Sequence, residues 1–418
     1  MSHPAASSEE IEPAPRHSML TWQRLLPTMG IVLVSLNLRA GVTSLSAIYG
    51  FIAQDITDFN VPMLGVVPVL CFALFGALTS KIATRLGYEG ALICSMLMIF
   101  IGIALRSLTD SFNLFILYSL IALAGMGFGN VLIQPLVKKY FPDHIGEITA
   151  IFAVMLAISG GLPPAIAVPI SNLFGWRANV MLWALVALLA GLLWLTHMWL
   201  GLHKVSTLNR VQLRGAATTH TASTLLPVWR WPVAWAMVML FGVGMMSMYT
   251  MLNWLPTVLT QQGISVTTAG SILGIYIMIG VFHSILIPVY LGKMKKPYLV
   301  VCLAGVLQII GYMGYLYAPA HAWVWTVITA PGLMTVPTTF QLINMRTRTV
   351  SGAAALSSFT QGIGYVFAAI GPFLFGYLHS ITGNWQVSFW FMTAMSLLMM
   401  IAGRAAVHNK FLEDMTKN

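Results

Sequence analysis

With 418 residues, of which 58% are hydrophobic and only 8% charged, the chain falls far below the roughly 25% charged share of water-soluble globular proteins. A mean hydropathy of +0.83 excludes a soluble enzyme or binding module and leaves a polytopic membrane protein. The formal net charge of +10 would suit a nucleic-acid binder, but the basic residues are scattered between apolar runs, so membrane topology accounts for them better.

In chain order, residues 1–24 open with MSHPAASSEEIEPAPRHS, a polar, acidic stretch without an apolar core or a small-residue cleavage site. It reads as a disordered cytoplasmic tail and not as a signal peptide. Apolar runs then follow at roughly 25–52, 62–82, 90–108, 112–137, 146–173 and 178–200, each long enough to cross a bilayer as a helix. A polar basic stretch, 201–230, carries Lys204, Arg210, Arg214 and Arg230. Six further runs come at 232–259, 267–291, 297–317, 322–345, 352–378 and 387–407 before a short tail, 408–418. The domain organisation is therefore a six-helix half (25–200), a basic cytoplasmic linker (201–230), a second six-helix half (231–407) and a cytoplasmic tail. Cys71, Cys94 and Cys302 all lie inside apolar runs without metal-ligand spacing, so neither a disulfide nor a metal site is expected.

An inside amino terminus puts eighteen of the twenty-one Lys and Arg on the cytoplasmic face: Arg16, Arg24, Lys81, Arg85, Lys138, Lys139, Lys204, Arg210, Arg214, Arg230, Lys293, Lys295, Lys296, Arg346, Arg348, Arg404, Lys410 and Lys417. Arg106 and Arg177 fall outside and Arg39 falls within, so the positive-inside rule places both termini in the cytoplasm. The halves also match at an offset of about 206 to 209 residues, Gly146 with Gly352 and Gly175-Trp176 with Asn384-Trp385. The match reads as two parallel repeats related by an axis along the membrane normal.

A narrower resemblance rests on Leu36-Asn37-Leu38-Arg39 with Thr43-Ser44, on Gly127-Phe128-Gly129-Asn130-Val131 running to Pro135-Leu136-Val137-Lys138-Lys139 and Phe141-Pro142, and on Asn253-Trp254-Leu255-Pro256. It continues in Gln361-Gly362-Ile363-Gly364-Tyr365, Gly371-Pro372 and Gly383-Asn384-Trp385. In this order, from about residue 25 to 407, they resemble the cyanate and 2-nitroimidazole transporter family of the major facilitator superfamily. The resemblance implies an all-α membrane protein with twelve transmembrane helices in two pseudo-symmetric halves, the major facilitator fold. It also implies a secondary transporter of the bacterial inner membrane working by alternating access on a small anionic or polar planar solute. An exporter of drug-like amphiphiles is the second transporter alternative, and a transport-dead sensor a third. Where the superfamily favours Asp-Arg-x-Gly between the second and third spans, the matching run is Thr84-Arg85-Leu86-Gly87. A charge-relay gate lacks its carboxylate there, and a topogenic charge is the plainer role for Arg85.

Arg39 is the residue that most needs a function. A cation at the centre of a span costs about 3 kcal/mol on insertion scales, so it must meet water, a partner or a ligand. Ser35, Arg39, Thr43 and Ser46 share one helical face, and all eleven acids lie in loops or tails: Asp55, Asp58 and Asp110 outside, Glu9, Glu10, Glu12, Glu89, Asp143, Glu147, Glu413 and Asp414 inside. Arg39 is therefore expected to offer planar donors to a small anion; the competing role is structural, satisfied by carbonyls or by Asn37 or Gln361. The family's cavity-lining first, fourth, seventh and tenth helices imply solute contacts for Asn37, Thr43, Asn130, Tyr249 and Asn253. Gln361 on the eleventh joins them, with Gln134, Thr338, Gln341 and Tyr365 sharing faces. Interhelical hydrogen bonding is the alternative for each. Trp254 would stack on a planar solute or anchor at the interface. His283, the histidine deep in a span, would carry a coupling proton, against a packing role. Gly160, Gly161, Gly371 and Pro372, with Arg85 and Gly87, are the gating or helix-packing set. Methionines such as Met245, Met246, Met248 and Met251 read as filler before solute wall. The spans contain no HExxH, no acid pair and no Ser/His/Asp set, so no enzyme, cofactor or metal is expected. Expected partners are a small-molecule solute, membrane lipid and, as an open coupling ion, the proton; nucleic acid is excluded and a monomer expected.

Overall fold

The structure, a computed structural model, describes residues 22–56, 61–200, 227–291, 293–294, 296–407 and 411–416. The predicted amino-terminal tail, most of the basic linker, Arg16, Lys204, Arg210, Arg214, Lys295, Lys410, Lys417, Asp58, Glu9, Glu10, Glu12 and the Ser46 side chain lie outside those residues. Every described element is helical, as lipid demands of a chain that must satisfy its backbone within each span. The helices of the first half are α1 (Trp22–Ser46), α2 (Tyr49–Asp55), α3 (Val61–Leu86), α4 (Tyr88–Leu108), α5 (Phe112–Tyr140), α6 (Ile145–Phe174) and α7 (Trp176–Trp199). In the second half they are α8 (Pro232–Gln261), α9 (Val266–Leu291), α10 (Tyr298–Tyr317), α11 (Ala322–Thr329), α12 (Thr335–Met345), α13 (Val350–Thr382) and α14 (Gln386–Ala406).

Ten of these helices are long and apolar enough to span a membrane. The 26-residue α3 and the pair α11 and α12 complete the twelve expected from the hydropathy pattern. Two runs differ from single helices. The first ends at Ser46, and the chain restarts as the short α2, whose Ile52 is buried together with Ile48 and Ile56. The tenth is interrupted by a 3₁₀ turn, Ala330–Met334. Pro331 brings no N–H to the ladder, and Gly332 is pressed so close to α10 that a Cβ would stand 2.2 Å from Gln308 Cγ.

Within the first half α1 packs on α6 and α7, and α4 on α5 and α7; within the second α8 packs on α13 and α14, and α10 on α14. The halves meet where α3 lies on α13 and α6 on α9. Gly146 lets α6 approach α9 closely, since a Cβ would lie 2.7 Å from the Pro288 carbonyl oxygen. The Ser358 hydroxyl of α13 donates to the Gly76 carbonyl of α3 at 2.6 Å. Lys138, at the end of α5, donates to the Asn344 carbonyl at 2.7 Å and to Thr347 Oγ1 at 2.9 Å, and also reaches the Thr347 carbonyl. Asn344 Nδ2 in turn donates to Gln134 Oε1 at 2.7 Å. The Lys138 and Asn344 ties sit toward the end of the bundle that carries both described termini, while the opposite end is tied within each half. There Asp55 accepts from Trp176 Nε1 at 2.8 Å and pairs with Arg177, and Trp385 Nε1 donates to Gln261 Oε1 at 2.9 Å.

Candidate functional site

The site is built on α1, a helix whose polar residues are spaced to share one stripe. Ser35 turns inward to its own helix, its hydroxyl donating to the Ile31 carbonyl at 2.5 Å. Asn37, on another face, bonds the Leu33 carbonyl at 3.1 Å and leaves its buried Oδ1 unpartnered. Arg39 is half-buried and forms no ion pair among the described residues. Its backbone N–H donates to Ser159 Oγ of α6 at 3.0 Å. Its guanidinium lies within electrostatic range of the hydroxyl of Tyr365, on α13 of the other half, as does Tyr249 of α8.

Tyr365 is fixed by its ring. It packs against Phe72 of α3 at 5.4 Å between centroids and edge-on to Phe241 of α8 at 5.3 Å, so a residue of the second half is clasped by both. The cation at the centre of the first half thus faces a neutral phenol across the interface. A phenol offers one hydrogen bond and no full charge, so the guanidinium, with its five N–H donors, keeps capacity for an anion.

Beside this pair lie amides with unused hydrogen-bonding atoms. Asn130 of α5 is 1% exposed, and neither its Nδ2 nor its Oδ1 has a partner. Gln361 Nε2 donates to Ser357 Oγ at 2.9 Å and to the Asn130 carbonyl at 3.4 Å, while its Oε1 stays unpaired. Gln134 Nε2 and Gln341 Oε1 are likewise buried and unpartnered. A buried polar atom left unpaired costs about 1–3 kcal/mol, and these amides carry donors and acceptors that no described protein group uses.

Other candidates are placed elsewhere. Thr43 donates to the Ser159 carbonyl at 3.0 Å. Asn253 is exposed, one turn beyond Tyr249 on α8. Trp254 donates to the Pro372 carbonyl at 2.8 Å and fills the space over Gly376, where a Cβ would meet its ring at 2.2 Å; it is a packing residue of the second half. Gly371 similarly gives way to Met246. Thr338 bonds back to the Met334 carbonyl, at the end of the preceding 3₁₀ turn, at 2.7 Å. His283 places Nδ1 2.8 Å from the Ile279 carbonyl of its own helix. Arg85 is exposed without a hydrogen bond to a described residue, and Gly87 after it adopts a φ of +74° that favours glycine. Gly160 sits 4.0 Å from Arg39 Cδ by the position of an added Cβ, and Gly161 has open space.

Two residues escape reading by sequence. Ser159 is one serine among many in apolar helices, and its partners lie more than 115 positions away. Arg106, counted above as an outside charge, is a buried member of α4, 2% exposed. It donates to the Gly41 carbonyl at 2.9 Å and to Ser119 Oγ at 3.4 Å and lies over the Phe115 ring at 5.6 Å. The signal lay in α4 itself, because Leu108 and Ser107 continue the helix beyond Arg106.

A family model described as Major Facilitator Superfamily matches residues 31–369. The chain belongs to the major facilitator superfamily. Within it, the chain is 32% identical over 393 residues to the 2-nitroimidazole transporter of Escherichia coli (strain K12), covering 93% of this chain and 96% of that protein. It is 25% identical over 368 residues to the cyanate transport protein CynX of the same organism, covering 86% and 92%. Both fall in the group named by the motifs around Arg39, Asn130 and Gln361. The fold matches the proton:xylose symporter XylE with a TM-score of 0.74 at 16% identity, over 94% of this chain and 98% of that one. This major facilitator protein is thus a multi-pass membrane transporter, and its Arg39–Tyr365 pair stands at the interface of the two halves.

Proposed function

We propose that the protein is a secondary active transporter that moves a small anionic or polar planar solute, cyanate-like or nitroimidazole-like, by alternating access. The observation that carries the proposal is the Arg39 guanidinium, half-buried in range of the Tyr365 phenol across the interface and paired with no carboxylate among the described residues. A cation so placed recognises an anion or a strongly polar planar group by charge-assisted hydrogen bonds. The unpaired amides of Asn130 and Gln361 supply donors and acceptors for the rest of the solute, and Thr43, Tyr249 and Asn253 complete the assigned surface, while Asn37 lies on the other side of α1. The names of the two relatives, a 2-nitroimidazole transporter and a cyanate transport protein, are consistent with that chemistry. The distribution of Lys and Arg supports cytoplasmic termini in an inner-membrane protein. His283 is the histidine assigned to proton coupling, and Gly160, Gly161, Gly87, Arg85, Gly371 and Pro372 the flexing and packing set.

The test is uptake by proteoliposomes of a panel of small anions and nitroheteroaromatics, with and without a pH gradient. Arg39→Ala should weaken binding of the transported anion at least about thirtyfold, the loss expected when one partner of a desolvated charge pair is truncated. Arg39→Lys should restore only part of it. Wild-type affinity for an anion in both variants would sink the assignment.

A further inference from the structure

We infer that Ser159 of α6 is a positioning residue that sets the Arg39 guanidinium at the interface between the halves. The inference rests on the assignment of Arg39 to solute binding and names the device that aims it.

Three hydrogen bonds join Ser159 to α1 within two turns. The Ser159 hydroxyl donates to the Leu36 carbonyl at 2.6 Å and accepts from the Arg39 N–H at 3.0 Å. The Thr43 hydroxyl donates to the Ser159 carbonyl at 3.0 Å and lies 3.2 Å from the Arg39 carbonyl. Ser159 is wholly buried, so each bond forms away from competing water and is worth more for it.

The sequence after Ser159 explains why its carbonyl is free to accept. In an α-helix the carbonyl of residue 159 bonds the N–H of residue 163. Position 163 here is proline, which has no N–H to give. Pro164 withdraws the donor for the Gly160 carbonyl in the same way. The Pro163-Pro164 pair therefore opens one turn of α6 beside α1, and Thr43 satisfies the Ser159 carbonyl in place of the missing donor. Gly160 follows at once, and the absence of a side chain lets Arg39 pass, with Cδ 4.0 Å from where a Cβ would stand.

The chain of cause runs from the proline pair to a freed carbonyl, to a peg of α6 bound to the Leu36 carbonyl, the Arg39 N–H and the Thr43 hydroxyl of α1, and so to the direction of the Arg39 side chain. Because α6 also packs on α9 of the other half, a movement of one half against the other reaches Arg39 through this peg.

The experiment measures concentration-dependent uptake of cyanate and of 2-nitroimidazole by the full-length protein in proteoliposomes. Ser159→Ala should raise KM for cyanate about fivefold, the effect of one ordinary hydrogen bond on placement, while Vmax and the KM for 2-nitroimidazole stay within about twofold. Ser159→Thr, which keeps the hydroxyl, should restore the cyanate KM. Pro163→Ala, which returns an N–H to compete with Thr43 for the Ser159 carbonyl, should raise the cyanate KM in the same direction and keeps the test alive if Ser159→Ala fails to fold. In the double variant Ser159→Ala/Arg39→Ala, the serine substitution should add nothing. Equal losses for both probes, or an unchanged cyanate KM, would overturn the positioning role. If Arg39→Ala itself transports cyanate with the wild-type KM, or the wild type takes up neither probe, the assignment of Arg39 falls as well. If Arg39→Ala loses cyanate and Ser159→Ala does not, only the role of Ser159 falls.

Discussion

Arg39 and Arg106 are both cations inside apolar helices without an ion pair among the described residues, yet they are held differently. Arg39 is half-buried and points across the interface to Tyr365. Arg106 is closed in by α1, α5 and the Tyr49 phenol, and its Nε has no partner. Gly41 accepts from Arg106 and also sits in the ladder of α1, so the Arg106 bond is additional to it. Arg106→Met, which keeps volume and removes charge, is therefore expected to stay within about 1 kcal/mol of wild type in stability, because desolvating a lone cation offsets its bonds. Arg106→Ala opens a cavity and should lose about 2–4 kcal/mol. Thermal unfolding in detergent separates them, and an equal fall for both would show that the charge itself holds the helices. Arg39 was legible because long apolar stretches flank it on both sides; Arg106 was not, because a charge one turn from the end of an apolar run looks like a loop charge. At the end opposite the termini, hydrogen bonds from Trp176 and then Arg177 hold the Asp55 carboxyl below the usual carboxylate range. A lowered folded value means that its stabilising effect is present above the unfolded pKa of about 3.9 and is lost as pH falls through the folded value. Asp55→Asn should accordingly leave the shape of the transport profile between about pH 5 and 8 unchanged, and a profile altered in that window would contradict the linkage.

At the scale of elements, hydropathy marked out the spans, since each run is a bilayer length of apolar residues. The interruption of the tenth span between α11 and α12 was signalled locally by Pro331-Gly332. Nothing local announced the role of the last described segment. The 3₁₀ turn Leu412–Thr416 docks on the connection between α12 and α13, with Leu412 fully buried and its N–H bonded to the Arg346 carbonyl at 2.9 Å. Glu413 accepts from the N–H groups of Arg348 and Thr349, at 2.9 Å each, and from Thr349 Oγ1 at 2.8 Å. It therefore adds a carboxylate at the positive end of α13, beside the Thr349 cap that takes the Gly352 N–H at 2.9 Å. Gly352 leaves room for this contact, since a Cβ would stand 2.2 Å from Glu413 Oε1 and push the carboxylate aside. The repeat match of Gly146 with Gly352 thus has a different cause in each half, helix approach in one and a docked carboxylate in the other. Glu413→Gln and Gly352→Ala are each expected to cost about 1–2 kcal/mol of stability. Both together should cost scarcely more than the larger one, since they disturb one contact. Additive losses in thermal unfolding would argue that the two residues act separately.

For the whole molecule, the repeat offset read from glycines is also the separation of residues that touch. Lys138 bonds Asn344 and Thr347, 206 and 209 positions on, and Gln134 bonds Asn344 at 210. Residues near a pseudo-two-fold axis meet their own counterparts, as they do across a symmetric dimer, so the ends of α5 and α12 lie beside that axis. The offset was visible in the sequence; that it brings side chains into contact was not, because contact depends on how the halves are tilted. Lys138, with the α3–α13 and α6–α9 approaches, ties the two halves together toward the terminus-bearing end, whereas Asp55 with Trp176, and Trp385 with Gln261, tie the opposite end within each half. If transport proceeds by rocking of the halves, Lys138 stabilises the state closed at the termini, and its loss must favour the other. Lys138→Met removes a charged donor from three acceptors on Asn344 and Thr347, worth about 1.5–3 kcal/mol, enough to move a two-state equilibrium by at least about tenfold. Spin labels at Ser111→Cys and Gln386→Cys, exposed positions on the opposite end of the two halves, with the native cysteines replaced by serine, report that equilibrium. Lys138→Met should shift their distance distribution toward shorter separations, and adding the transported anion should shift both proteins further. A distribution that Lys138→Met leaves unchanged would mean that the helix approaches alone hold the closed end, and that the bonds from Lys138 follow from the closure without supporting it.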